Sequence, residues 1–179
     1  GQTVVQDGNW HQLTVVRSGG KAYMYIDGNK EVELSNPPPL LLNNSELVFG
    51  HYPGKAGMGL NGSMDDISIW SAALSEEEIA QLMNCSPDLS SCSLVAYYDF
   101  EHGMAGISNP DEKTLADRTG NGYDIQLEKN IWELEGATSN WTSGGISLSG
   151  TCSEFGAITA NAGEDMEITC TSAQELINL

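Results

Sequence analysis

The stretch Trp10-His11-Gln12-Leu13-Thr14-Val15-Val16-Arg17-Ser18-Gly19-Gly20-Lys21-Ala22-Tyr23-Met24-Tyr25-Ile26-Asp27-Gly28-Asn29 decides the fold. Trp10, Leu13, Val15 and Val16 form one apolar-rich run, and Ala22 to Ile26 forms a second. Both are short, rich in β-branched or aromatic residues and bounded by turn residues, which is the pattern of strands. Gly19-Gly20 separates them, and Asp27-Gly28-Asn29 supplies the positive-φ positions a tight hairpin needs before Lys30 to Leu34 returns. The reading is an antiparallel meander. Pro37-Pro38-Pro39 cannot donate ladder hydrogen bonds and ends it. Glu46 to Gly50 and Met64 to Trp70 read as two further strands.

One helix follows. Ser75 can cap the first amides, Glu78 three residues on can bond back to the cap, and Leu74 with Ile79 makes a hydrophobic staple. Glu76, Glu77 and Glu78 sit at the positive end of the helix dipole, where each is favoured by about 0.3–1 kcal/mol, so capping explains them without a catalytic or metal role. Ile79, Leu82 and Met83 form the expected buried stripe.

Around these elements lie 179 residues with 7 Lys and Arg against 25 Asp and Glu, a net charge of −18 and a pI near 4.1. A polyphosphate partner is held by cations that displace its counterions, so nucleic acid and anionic membranes are excluded as partners. No run of roughly 18 apolar residues exists, and no membrane insertion is expected. The chain opens Gly-Gln-Thr-Val-Val without an initiator Met and reads as part of a longer multidomain chain. Cys85, Cys92, Cys152 and Cys170 are even in number and lack the C-x2-C spacing of zinc sites, so disulfides are expected, and with them an extracellular or cell-surface location. Pairing Cys85 with Cys92 closes a short loop after the helix, worth about 2–3 kcal/mol in the chain-entropy account. Cys152 and Cys170 are then the remaining combination, unless Cys170 bonds further along the chain; other connectivities stay open.

The series Asp7-Gly8-Asn9-Trp10-His11, Tyr23 to Gly28, Leu60-Asn61-Gly62-Ser63-Met64-Asp65-Asp66-Ile67-Ser68-Ile69-Trp70 and Ala73 to Ile79 resembles the C-terminal half of laminin-G-like domains, within the concanavalin A-like and pentraxin-like group. The resemblance implies an all-β fold, an antiparallel jelly-roll β-sandwich with one short helix, over residues 1–83. Leu94 to Glu101, Leu115 to Gly122 and the turn from Gly136 to Trp141 resemble a segment that trails such domains in large secreted bacterial surface proteins, giving a second unit, 84–150. Ala160 to Cys170 resembles the first strands of an immunoglobulin-like or polycystic-kidney-disease-like repeat, so residues 151–179 are expected to begin an Ig-like β-sandwich.

Asp117, Thr119, Asn121, Gly122 and Glu128 occupy positions 1, 3, 5, 6 and 12 of a calcium-loop pattern, with Thr in place of the second acid. No helices flank the loop, so a structural calcium site using Asp117, Asn121 or Asp124 stands beside a plain turn favoured by Gly and Asn. An acidic residue at the place of Asp65-Asp66 ties down loops or contributes to calcium in the resembling family, and the structural role is the one expected here. As neighbours in a strand Asp65 and Asp66 would point to opposite faces and not act as a glycosidase pair. His11, His51 and His102 sit in no nucleophile or zinc motif, and His11 beside Trp10 is given a packing role. Tyr52, Trp132 and Trp141 lie in turn-rich sequence and are the candidates for stacking on sugar faces.

The expectation is a non-catalytic module of a secreted or cell-surface protein, not an enzyme. It would bind a glycan or a cell-surface protein, as in a bacterial adhesin for gliding or surface attachment. The alternatives are an accessory carbohydrate-binding part of an extracellular polysaccharide hydrolase and a structural spacer.

Overall fold

A computed structural model describes residues 2–39, 47–50, 59–127 and 134–152. The meander forms as the alternation requires: β1 (Leu13–Ser18), β2 (Lys21–Ile26) and β3 (Asn29–Ser35) make an antiparallel sheet in the order β1-β2-β3. Both hairpins turn on two positive-φ residues, Gly19 and Gly20 in the first and Asp27 and Gly28 in the second, the signature of type I′ turns that match strand twist. β3 carries a bulge opposite Met24 and Tyr25.

The next strand, β4 (Ile67–Trp70), starts three residues later than expected because Asp66 adopts φ of +51°, outside the β region. Leu47 to Gly50 form no strand: Gly50 has φ of +78°, and its carbonyl accepts from Leu60 N at 2.6 Å. Helix α1 (Glu76–Gln81) has the expected capping box, with Glu78 N donating to Ser75 Oγ and Ser75 N to Glu78 Oε2. Its staple is also present, since Leu74 and the fully buried Ile79 share a core with Val16, Tyr25 and Cys152. Met83 corrects the buried stripe. Leu82 is the C-cap, so Met83 falls past the last turn and is 38% exposed over the Gly28 hairpin.

Residues after the helix pack into the same structure. β5 (Leu94–Tyr98) pairs antiparallel with β4, and β6 (Thr114–Leu115) with β7 (Ile125–Gln126). Ala96, Tyr98 and Leu115 form a second core, flanked by Ile67, Ile69, Phe100 and Ile125. The architecture is all-β with one short helix, and no helix among the described residues is long and apolar enough to cross a membrane.

The disulfide pairing differs from the expected one. Cys85 bonds Cys152, with Cα atoms 5.1 Å apart, and not Cys92. A non-local strap causes this: Ser149 N donates to Asn84 O, Ser86 N to Gly150 O and Cys152 N to Ser86 O, which lays residues 149–152 along 84–86. Cys92 is also disulfide-bonded. The expected Ig-like start beyond Cys152, with Cys170, lies outside the described residues, as do His51, Tyr52, Glu128 and Trp132.

Candidate functional site

β5 organises the site, because its adjacent tyrosines face opposite ways. Tyr98 enters the second core, and its hydroxyl donates to Tyr123 O. Tyr97 turns toward a cleft of about 390 Å³, within the range of ligand-sized sites. Tyr97, Asp99 and Arg118 form one wall. Ser86 to Leu89 and Thr151 form the other, held in place by the strap and the Cys85–Cys152 bond.

The polar groups of this wall are pre-set. Arg118 Nε pairs with Asp99 Oδ2 at 2.9 Å, and Arg118 N donates to Tyr97 O at 2.8 Å, so backbone and side chain both fix the guanidinium. His102 Nδ1 lies 3.7 Å from the other Asp99 oxygen. The Tyr97 hydroxyl donates to Asp66 Oδ1. Burial, then the bond to Asp66, pushes the phenol well above its ordinary range. Burial also raises the Asp66 carboxyl, against the lowering effect of Tyr97, and Asp65, Asp99 and Glu101 add to the rise. Across the cleft, Ser90 Oγ and N donate to Asp88 Oδ1 and lower that carboxyl. The cleft thus offers a guanidinium with outer N–H groups, carboxylate acceptors, hydroxyls and an apolar edge at Pro87 and Leu89. Such a set can grip a polyhydroxylated ligand through paired donors and acceptors.

The calcium-loop residues do come together, in another role. Asp117 is buried, and Tyr97 N (3.2 Å), Thr119 N (3.0 Å), Thr119 Oγ1 (2.8 Å) and Tyr123 N (3.3 Å) all donate to its carboxylate. Burial opposes the charge on Asp117, but these donors outweigh it and hold the carboxyl below its ordinary value. Asp124 Oδ1 accepts from Asp117 N at 2.9 Å, and Asn121 Nδ2 donates to Val95 O at 3.0 Å. A cation here would meet converging N–H and O–H groups. The residues present therefore do not fit calcium; they fit a turn anchored on a buried carboxylate.

Trp141 packs inward. Its indole lies where a Cβ on Gly103 would stand, with Nε1 only 0.9 Å from that position, so the ring covers backbone and does not stand out as a stacking platform. Asp65 and Asp66 take separate partners, Ile146 N at 2.9 Å and the Tyr97 hydroxyl, in keeping with loop tethering. His11 is largely covered and also paired: Nδ1 lies 2.8 Å from Asp27 and Nε2 3.0 Å from Asp7, which joins the segment before β1 to the β2–β3 turn. Asp27 and then Asp7 raise the His11 pKa, while the Asn9 N–H and side chain, with His11, bring Asp7 down to about 2.

Sequence reasoning missed the cleft residues Tyr97, Asp99, Arg118 and Asp88. One signal was available: Tyr97-Tyr98-Asp99 closes an apolar run with a carboxylate, and Arg118 is one of only seven cations, adjacent to Asp117.

The described residues form small antiparallel sheets with one short helix. Residues 1–80 match the laminin-G-type family model described as the concanavalin A-like lectin/glucanases superfamily. Among particular proteins, the chain is similar to the rat "Sushi, von Willebrand factor type A, EGF and pentraxin domain-containing protein 1", with 29% identity over 126 residues. That alignment covers 62% of this chain and 3% of the relative, and the mouse protein of the same name gives the same figures. The chain thus spans a small part of these relatives' length. An S-layer domain-containing protein from Clostridium thermocellum (residues 221–444) is 27% identical, with a TM-score of 0.33, over 45% of this chain and 42% of that one.

Proposed function

We propose that this chain is a non-catalytic recognition module of an extracellular or cell-surface multidomain protein, serving adhesion by binding a glycan in the Tyr97–Asp99–Arg118 cleft. The observation that carries the reading is the Arg118–Asp99 pair at 2.9 Å, anchored at β5 and lining a cleft together with Asp88. The disulfide supports an oxidising compartment. The charge of −18, with Asp88 and Asp99 in the cleft walls, favours neutral sugars over uronates or sulfated chains.

A glycan array followed by calorimetry, with wild type and Arg118→Ala compared, tests this. Binding to neutral oligosaccharides that falls at least tenfold in Arg118→Ala supports it. Binding unchanged by the substitution, or none to any glycan, refutes it.

A further inference from the structure

Asparagine stands directly before glycine at two places, Asn61-Gly62 and Asn121-Gly122. In such a pair the glycine nitrogen reaches the asparagine side-chain carbon with little hindrance, because glycine carries no Cβ. Both asparagines are exposed. The fold nevertheless treats them differently. Asn121 is tied at side chain and backbone: Nδ2 donates to Val95 O on β5 at 3.0 Å, and N donates to Thr119 Oγ1 at 3.2 Å. On the far side of Gly122, whose φ is +84°, Tyr123 N donates to the buried Asp117 carboxylate. Closing a ring between Asn121 and Gly122 must therefore break the bond to Val95 and distort the turn wound on Asp117.

Asn61 has no such ties. Leu60 N is bonded to Gly50 O, and Asp65 and Asp66 take Ile146 N and the Tyr97 hydroxyl. Between those anchors Asn61, Gly62 and Ser63 are all exposed, and no described residue partners the Asn61 amide or the Gly62 N–H. Nor does the backbone require glycine here. Gly62 is outside the left-handed region, and a Cβ on it would meet only Leu60, at 3.9 Å.

We propose that Asn61 is a self-modification site, at which the folded chain deamidates through a succinimide, and that the fold protects Asn121 from the same reaction. Gly62 N attacks Asn61 Cγ; the N–Cγ bond forms, the Cγ–Nδ2 bond breaks, and the proton of the Gly62 N–H leaves with the amide as ammonia. Water, the only co-reactant, then opens the ring at either carbonyl and leaves aspartate or isoaspartate. Either product adds a carboxylate to a chain already at −18. Isoaspartate also puts an extra methylene into the backbone that leads to the Asp65 and Asp66 anchors.

The test is peptide mapping by mass spectrometry of the 179-residue chain, incubated at physiological temperature and mildly alkaline pH, folded and in denaturant. In the folded chain Asn61 is expected to convert at least tenfold faster than Asn121, with both aspartate and isoaspartate formed. In denaturant the two rates should converge to within about twofold, since the bonds that hold Asn121 are then lost. Gly62→Ala should slow conversion at Asn61 at least fivefold with Tm unchanged, because its Cβ crowds the attack and strains nothing. Equal rates at the two sites in the folded chain overturn the proposal. So does a rate ratio that persists in denaturant, since sequence and not the fold then sets it, or a Gly62→Ala chain that converts at the wild-type rate.

Discussion

Replacing Asp117 by Ala removes the acceptor on which a whole loop is wound. The carboxylate is buried and takes hydrogen bonds from Tyr97 N, Thr119 N, Thr119 Oγ1 and Tyr123 N. Tyr97 is itself buried in β5, so its amide cannot recover water, and a stranded buried donor costs about 1–3 kcal/mol. The Thr119 and Tyr123 amides lie nearer the surface and rehydrate in part, which brings the expected loss to roughly 2–4 kcal/mol. For a domain of this size each kcal/mol shifts Tm by about 2–4 °C, so the variant should melt roughly 5–15 °C below wild type. Asp117→Asn should recover little, because its amide nitrogen would face the converging N–H groups. The folded carboxyl is depressed, so its contribution is present above the unfolded value near ~3.9 and fades as pH falls through the lower folded value. The assay is circular dichroism melting of wild type and both variants, in calcium and in chelator, from neutral pH into the acid range. Equal losses in calcium and chelator are expected. A loss confined to calcium, or a shift of Asp117→Ala too small to resolve, refutes the carboxylate-anchored turn.

Three further outcomes follow from other parts of the molecule. The Cys85–Cys152 bond spans a sequence separation of 67, so replacing both cysteines by Ser should cost about 4 kcal/mol by loop entropy, seen as a lower urea midpoint; an unchanged midpoint would show the strap to be self-sufficient. His11 is raised by Asp27 and Asp7, so its stabilisation is complete below about 6.5 and is lost as pH rises through the folded value. His11→Gln should flatten the Tm–pH profile in that window, and an unaltered slope counts against the two-carboxylate clamp. Ile79→Ala empties a fully buried site between α1 and the first sheet and should lose about 2–5 kcal/mol in chemical unfolding, whereas a loss below ~1 kcal/mol would place Ile79 outside the core.

What the sequence made legible was local. The turns at Gly19-Gly20 and Asp27-Gly28 need only residues with cheap positive φ, and the Ser75–Glu78 box is contained in four positions. The family resemblance over the first eighty residues rested on the same local strings. The cleft is assembled from residues 86–89, 97, 99, 118 and 151, which meet only once β5 pairs with β4 and the 149–152 strap lies down. No periodicity carries that information. The same strap overrode the short-loop argument for Cys85–Cys92, since loop entropy ranks pairings only among cysteines already brought within reach. The string at Asp117 fits a calcium loop and a plain turn equally in spacing. Spacing alone does not tell whether a carboxylate faces a cation or amide donors.

The most direct test of glycan recognition in the cleft is an NMR titration of the labelled chain with a neutral oligosaccharide that it binds, with the sugar recovered and analysed afterwards. The account predicts saturable shifts at Tyr97, Asp99, Arg118 and Thr151, and the oligosaccharide returned intact. Shifts confined to other surfaces, or cleavage of the sugar, would contradict it.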